Sequence, residues 1–306
     1  MGGATSGGAE PASRSRVIAA FLVVTAIWGS TWLVIKDQVG AVPPTWSITY
    51  RFALAGAAML VLALVRRDSL RLSRQGMGLA LLVGLSQFVC NFQFVYQAEI
   101  HLTSGLVAVC YALLMVPNAV LARLFLGQRV TGGFIAGSLV AIAGIALLMI
   151  HEYRSAPPEG RVALGVVMTC AGILSASTAN ILQGTQVGRA QPMVPMLAWA
   201  MLLGAAIDAC WSLATVGAPV METRWEYLAG IVYLAIAGSV VTFPLYFMLI
   251  RELGPGRAAY NGVAVPVVAM ALSTVFEGYR WTGLAIGGAV LALGGLVIAL
   301  AAKKRV

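Results

Sequence analysis

Charged residues are scarce in this chain. Only 10% of its 306 residues are charged, 60% are hydrophobic, and the mean hydropathy is +0.89. A soluble domain carries about 25% charged residues, so an ordinary soluble protein is excluded. A helix needs about 20 apolar residues to span a bilayer. The sequence predicts ten such helices, at residues 17–36, 44–65, 75–97, 102–126, 131–150, 162–187, 193–217, 225–250, 256–276 and 281–302.

The residues of common catalytic sites are missing as well. The chain has no GxxxxGK[ST] motif, which excludes ATP hydrolysis by a P-loop. Its two histidines, His101 and His151, fall at predicted helix ends, so neither suits the buried Ser–His pair of an intramembrane protease. The four cysteines lie in apolar runs without CxxC spacing, where cysteine usually acts as a small hydrophobic residue. We therefore expect no enzymatic activity, no disulfide, no metal and no cofactor.

The net charge of +9 could suggest a nucleic-acid partner, but the positions of the basic residues argue otherwise. Fourteen of the 20 Lys and Arg residues fall in one set of alternating loops and tails, and five fall in the other set. By the positive-inside rule the richer side is cytoplasmic. We expect a multi-pass protein in a lipid bilayer, with both termini in the cytoplasm and no nucleic-acid partner.

A pattern recurs between the two halves of the chain. Tyr111, Pro117 and Gln128 reappear 149 residues later as Tyr260, Pro266 and Glu277. Five helices per copy force the copies into opposite orientations, as in transporters built from inverted repeats. The predicted units are a disordered cytoplasmic N-terminus at 1–15, a first repeat at 16–150, an outer linker at 151–161, a second repeat at 162–302 and a basic cytoplasmic tail at 303–306.

Small residues also recur, in the last helix of each copy. Gly137 and Gly144 lie seven residues apart in the fifth predicted helix, and Gly283, Gly287 and Gly294 lie at helical spacing in the tenth. Small residues allow helices to approach closely. The pattern predicts close packing between helices or halves through these glycines.

Polar and aromatic residues form stripes on several apolar helices. A polar side chain facing lipid is unfavourable, so these stripes should face the interior of the bundle. The alternative is that they only form hydrogen bonds between helices. The cavity candidates are Trp28, Gln87, Asn91, Tyr111, Asn118, Asn180, Gln183, Thr242, Tyr246 and Tyr260.

Prolines and isolated charges complete the candidates. Pro117, Pro244 and Pro266 lie inside predicted helices, where proline removes a backbone hydrogen bond and produces a kink or hinge. Three charges, Arg51, Asp208 and Glu277, fall within apolar runs. Such a charge is a candidate for ion coupling, with a structural role as the alternative.

The order of several motifs resembles the drug/metabolite transporter superfamily, in its EamA branch. In the first copy the resemblance rests on Trp28-Gly29-Ser30-Thr31, Lys36, Pro43-Pro44, Arg51, Pro117 and Phe125-Leu126-Gly127-Gln128. In the second copy it rests on Leu253-Gly254-Pro255-Gly256-Arg257-Ala258-Ala259, Pro266 and Phe276-Glu277. Gln128 departs from the glutamate usual in the family. Within the branch, the chain is similar to the YddG type of bacterial amino-acid exporters.

That resemblance implies an all-α integral membrane protein of ten helices in two inverted repeats, located in the bacterial cytoplasmic (inner) membrane. It implies a monomer, with a dimer as the alternative. Helices 1, 3, 4, 6, 8 and 9 would surround a central cavity, with helices 5 and 10 outside.

The stripes limit the substrate because they are mostly amides, hydroxyls and aromatic rings. Arg51 is the one buried basic candidate, whereas a phosphate ester would require several. We expect a secondary transporter that exports neutral amino acids, aromatic or otherwise apolar or small, by alternating access. Export of other small metabolites or organic-cation drugs is the first alternative. A non-transporting scaffold or lipid-handling protein is the second.

Overall fold

The computed structural model describes residues 14–40, 42–127, 129–155, 161–253 and 261–302. Within these ranges every regular element is helical and no strand occurs. The helices are α1 (Arg14–Val39), α2 (Pro44–Val65), α3 (Arg74–His101), α4 (Ser104–Leu126), α5 (Gly132–Ser155), α6 (Val162–Gly184), α7 (Met193–Thr215), α8 (Trp225–Ala235 continuing through Thr242–Leu253), α9 (Asn261–Phe276) and α10 (Gly283–Ala302).

Among the described residues, eight helices are long and apolar enough to cross a membrane, and α9 and α10 are shorter apolar helices. Large apolar side chains such as Leu139, Trp211 and Val290 are exposed on the outside of the bundle. That arrangement is expected of a surface that faces lipid rather than water.

The predicted boundaries agree with the observed helices to within a few residues. The second predicted helix, 44–65, coincides with α2, which has proline in its first turn. The fifth was predicted to end at 150, but α5 continues to Ser155 and so enters the predicted linker. Residues 1–13, 156–160 and 303–306 lie outside the described residues, as do Gln128 and Tyr260 of the recurring pattern.

Three helices depart from α-helical geometry near their middle. A π-helical segment occupies Gly84–Asn91 of α3, and another occupies Ile236–Val241 of α8. A 3₁₀ turn occupies Ala112–Leu114 of α4. Pro117 and Pro244 follow two of these segments closely, as expected because proline disrupts the hydrogen bonds of the preceding turn. The segment in α3 contains no proline, so it was not predictable from this pattern.

Helices α5 and α10 form a tightly packed pair. A Cβ added to Gly137 or Gly144 would collide with the backbone of α10, and the same is true of Gly288 and Gly295 against α5. The prediction was therefore right for α5. It was wrong for α10, because Gly283, Gly287 and Gly294 have open space around them. The contacting face of α10 is shifted by one residue from the predicted one.

The other helices enclose an interior. Helix α2 packs along α7, α1 contacts α8 and α9, and α6 contacts α3 and α4. Gly29 of α1 permits close contact with Val268 of α9, where an added Cβ would lie 2.5 Å from the Val268 Cβ atom. A buried aromatic and aliphatic core that includes Phe52, Phe88 and Met201 joins α2, α3 and α7. These contacts leave one side of α1, α3, α4, α6, α8 and α9 facing a shared cavity.

Candidate functional site: a central cavity

The cavity has a volume of about 230 Å³ and lies between helices that are distant in sequence. All six helices expected from the resemblance contribute to its wall, and Arg51 of α2 and Leu296 of α10 also reach it. Ten of the predicted residues line it: Trp28, Arg51, Gln87, Asn91, Tyr111, Asn118, Asn180, Gln183, Tyr246 and Pro266.

One part of the wall is aromatic. The ring centroid of Trp28 lies 4.9 Å from that of Tyr246 and 5.8 Å from that of Phe243. The Trp28 indole N–H donates to the carbonyl oxygen of Gly238 at 3.3 Å, which fixes the ring. These three rings present apolar faces and edges that could pack an apolar substrate group.

Another part of the wall is a set of neutral polar groups. The Tyr111 hydroxyl donates to Asn91 Oδ1 at 2.7 Å, and Gly172 leaves room for that hydroxyl because it lacks a side chain. The Asn180 amide lies 3.4 Å from Asn118 Oδ1. Amides can donate and accept hydrogen bonds, so this wall suits a substrate with both kinds of group.

Arg51 is the charged group of the wall. It is 2% exposed, and its guanidinium carbon lies 4.4 Å from the centre of the Phe92 ring, in cation–π contact. Its Nε and Nη1 atoms have no hydrogen-bond partner among the described residues. It interacts electrostatically with Tyr96 and Glu99 of α3.

Beyond one end of the cavity lies a cluster of charged and polar residues, in which Glu99 and Ser104 are buried and Lys36 and Glu277 are half-buried. Lys36 Nζ of α1 donates to the carbonyl oxygens of Glu99 and Leu102, the latter at 2.9 Å. Glu277 accepts from the backbone N–H of Ser104 at 3.1 Å and from the Ser104 hydroxyl. Lys36 thus binds carbonyl groups at the C-terminal end of α3, and Glu277 caps the N-terminal end of α4. The helix dipole favours both contacts.

This cluster closes its end of the cavity. Lys36 directly follows the lining residue Ile35. Glu99 lies one turn beyond the lining residue Val95, and it is completely buried. Ser104, which is 1% exposed, lies one turn before lining residues of α4.

The opposite end of the cavity is open. Asn118 lies 14 residues after the start of α4, or about 20 Å along the helix. Its partner Asn180 lines the cavity and is exposed at the surface. The cavity is therefore accessible from the end that Asn180 occupies.

Some predicted residues lie elsewhere. The buried Thr242 hydroxyl donates to the Gly238 carbonyl at 2.8 Å, and Thr242 is not part of the lining. Pro117 and Pro244 adjoin the irregular segments without lining the cavity. Asp208 is buried in α7, where Oδ1 accepts from the Gln93 amide at 2.8 Å. Tyr260 lies outside the described residues.

Several residues of the site were missed by sequence reasoning. Phe92 and Phe243 read as ordinary apolar residues, and nothing in their spacing separated them from lipid-facing ones. Asn261, whose amide donates to Thr25 Oγ1 at 2.8 Å, also lines the cavity. Lys36 and Glu99 carried a signal that was available, because each is a charged residue at the end of an apolar run. In the part of the chain described, no group of three His, Cys, Asp or Glu residues could hold a metal ion.

Comparison with known proteins identifies the family. The sequence model of the EamA-like transporter family matches residues 15–150 and 163–301. The chain belongs to the EamA-like transporter family. This EamA-like protein is accordingly a multi-pass membrane transporter, which agrees with its apolar helices and its central cavity.

Two relatives from Escherichia coli K12 are similar over most of their length. One, described as an uncharacterized inner membrane transporter YedA, is 28% identical over 264 residues, 85% of this chain and 82% of that protein. The other, described as a probable amino-acid metabolite efflux pump, is 26% identical over 301 residues, 94% and 95% of the two chains. A protein of known crystal structure has the same fold, with a TM-score of 0.69, 20% identity and coverage of 95% and 99%.

Proposed function

We propose that this EamA-like transporter exports neutral amino acids across the cytoplasmic membrane by alternating access. The single observation that carries the proposal is the composition of the cavity wall. Its aromatic rings and neutral amides, with one buried cation, match a small molecule that has an apolar side chain and a few polar groups. The volume of about 230 Å³ is below the range of about 300–1,000 Å³ that drug-sized ligands occupy.

The relatives favour the same substrate class. Among them are two proteins described as probable amino-acid metabolite efflux pumps, at 26% and 25% identity over nearly the full chain. The outward direction of transport is taken from these relatives. The neutral amino acids are proposed from the wall, because its described lining residues offer one cation and no carboxylate for a charged substrate side chain.

We further propose that the chain is two inverted five-helix repeats. The family model matches two stretches of similar length. If α1–α5 correspond to α6–α10, the contacts of the two halves match. Helix α5 packs against its counterpart α10, and α2 packs against its counterpart α7. Helix α1 contacts α8 and α9, just as its counterpart α6 contacts α3 and α4. The two π-helical segments fall in corresponding helices, α3 and α8. The loop charges favour cytoplasmic termini.

Alternating access is supported by the unequal ends of the cavity. One end is closed by the cluster of Lys36, Glu99, Ser104 and Glu277, and the other is open at Asn180. With the proposed orientation, the structure corresponds to an inward-open state. The irregular segments of α3, α4 and α8 and Pro266 of α9 are the positions where these helices would bend.

Export of organic cations is a second candidate, because one observation favours it. The rings of Trp28, Phe243 and Tyr246 lie close together, and aromatic faces attract cations. Arg51 in the same cavity opposes it, since a bound cation would be repelled.

Counterflow in proteoliposomes tests the proposal. Purified protein would be reconstituted with unlabelled substrate inside, and uptake of labelled methionine, threonine, phenylalanine and glutamate would be measured, with tetraphenylphosphonium as the organic cation. We expect uptake of the neutral amino acids above empty liposomes, and none of glutamate or of the cation. Absence of uptake of every neutral amino acid would refute the proposed substrate class.

A further inference from the structure

We propose that Arg51 binds the carboxylate of the substrate, so that this transporter selects molecules that carry a free carboxylate next to an apolar group. This rests on the proposed function in taking the substrate to be an amino acid. It gives Arg51 a role, and the substrate a chemical requirement, that neither the motifs nor the resemblance indicated.

The first argument is the state of the guanidinium group. Arg51 is 2% exposed, and two of its nitrogen atoms, Nε and Nη1, have no partner in the described part of the chain. Buried donors without partners are unfavourable, and the side-chain hydrogen bond between Arg51 and Tyr96 leaves Nε and Nη1 without one. Since Arg51 lines the cavity, its guanidinium group is the cation that an anionic group inside the cavity would meet. The paired N–H groups of arginine fit a carboxylate in a bidentate arrangement.

The second argument is the way in which the side chain is held. The Phe92 ring covers one side of the guanidinium, 4.4 Å from its carbon atom. Gly238 borders it elsewhere: an added Cβ there would lie 3.6 Å from Arg51 Nη2 and 3.0 Å from Thr31 Cγ2. The absent side chain at Gly238 leaves space beside the guanidinium. A cation fixed in this manner is preorganised for a ligand.

The third argument is the position of the aromatic wall. The Gly238 carbonyl accepts from the Trp28 indole, so the Trp28 ring and Arg51 border the same glycine. A ligand with its carboxylate at Arg51 therefore has the rings of Trp28, Phe243 and Tyr246 nearby for its apolar group. An organic cation could contact the same aromatic rings, but the positive charge of Arg51 would repel it.

Glu99 is the protein carboxylate that competes for Arg51, with which it interacts electrostatically. The carboxyl oxygens of Glu99 have no hydrogen-bond partner among the described residues, and Lys36 Nζ bonds the backbone carbonyl of Glu99 rather than its side chain. In the described residues no carboxylate oxygen lies within 4.0 Å of the Arg51 guanidinium. Arg51 is thus left available to a ligand.

The test measures binding rather than transport, in nanodiscs, by competition and by tryptophan fluorescence. The ligands are phenylalanine, phenylalaninamide and 3-phenylpropionate, which respectively have both polar groups, lack the carboxylate and lack the amine. Wild-type protein should bind phenylalanine about tenfold or more tightly than the amide. Arg51→Gln should lose that preference, because the affinity for phenylalanine falls while the affinity for the amide stays the same. Arg51→Lys should restore part of the preference. Arg280→Gln, at an exposed arginine, is the control.

The outcomes separate this inference from the proposed function. Equal binding of phenylalanine and its amide by the wild-type protein would overturn the role of Arg51 without any variant. A uniform loss for all ligands in Arg51→Gln, with no recovery in Arg51→Lys, would also overturn it. If phenylpropionate binds in an Arg51-dependent way while amino acids do not bind, the amino-acid proposal fails and the carboxylate site stands.

Discussion

Replacement of Lys36 by methionine should open the closed end of the cavity. The Lys36 ammonium donates to the backbone carbonyls of Glu99 and Leu102. Methionine fills similar space but offers no donor. If the contacts exist only in the closed arrangement, their loss destabilises that arrangement relative to the open one.

The size of the effect follows from the contacts. A hydrogen bond to a charged group contributes about 1.5–3 kcal/mol. Lys36→Met removes two such bonds. Water can solvate the two freed carbonyl groups in the open arrangement, which offsets part of the free energy that the bonds contributed. A net shift of about 2–3 kcal/mol corresponds to a change of about 30- to 140-fold in the equilibrium between the two arrangements.

The assay is chemical access to a cysteine placed behind the cluster. Ala108 of α4 lines the cavity one turn beyond Ser104 and is 1% exposed. In a variant without the four native cysteines, Ala108→Cys would react with a membrane-impermeant maleimide added outside intact cells. We expect Lys36→Met to accelerate the reaction by at least tenfold, and Lys36→Arg, which retains donors, to change it by less than about threefold. An unchanged or slower reaction in Lys36→Met would refute the assignment of this cluster as a closure.

Three further predictions concern packing, the cavity wall and bending. Gly144→Ala should lower the melting temperature because its Cβ would collide with the backbone of α10, whereas Gly294→Ala, with open space around it, should leave the temperature unchanged or raise it. Tyr111→Phe removes a hydrogen bond to the α3 amide and should weaken substrate binding by about fivefold, as for a loss of about 1 kcal/mol, without loss of folding. Pro266→Ala and Pro117→Ala should lower the counterflow rate while the protein inserts and retains its melting temperature; unchanged rates would show that these prolines are not hinges.

Much of the fold was predictable from the sequence, because the bilayer imposes a simple rule. Long apolar runs must be helical in lipid, since backbone groups find no partner there otherwise. Helix α2 was therefore predicted to the residue. The end of α5 at Ser155 was missed because a helix can continue beyond the apolar run into water. The contacting face of α10 was missed by one residue, because several glycines there are equally small and only the facing helix selects among them.

The site was predictable as a set of polar stripes but not as a chemical arrangement. Gln87, Asn91 and Asn180 were recognisable because amides are conspicuous in apolar helices, and the structure brings all three to one cavity. Gln87 and Asn91 lie in the π-helical segment of α3, which was not predictable because the segment contains no proline. Arg51 was recognised as an intramembrane charge. Its approach to the cavity depends on how α2 packs against α3 and α8, which local sequence does not specify.

Modification of the open end of the cavity tests the central claim most directly. Asn180→Cys, in a protein without native cysteines, would be reconstituted in proteoliposomes, and counterflow of labelled phenylalanine would be measured before and after treatment with a maleimide that reaches both faces. We predict that counterflow is present before treatment, is abolished after it, and is protected by excess unlabelled phenylalanine. Counterflow that continues at the same rate after complete modification of the cysteine would contradict a transport path through this cavity.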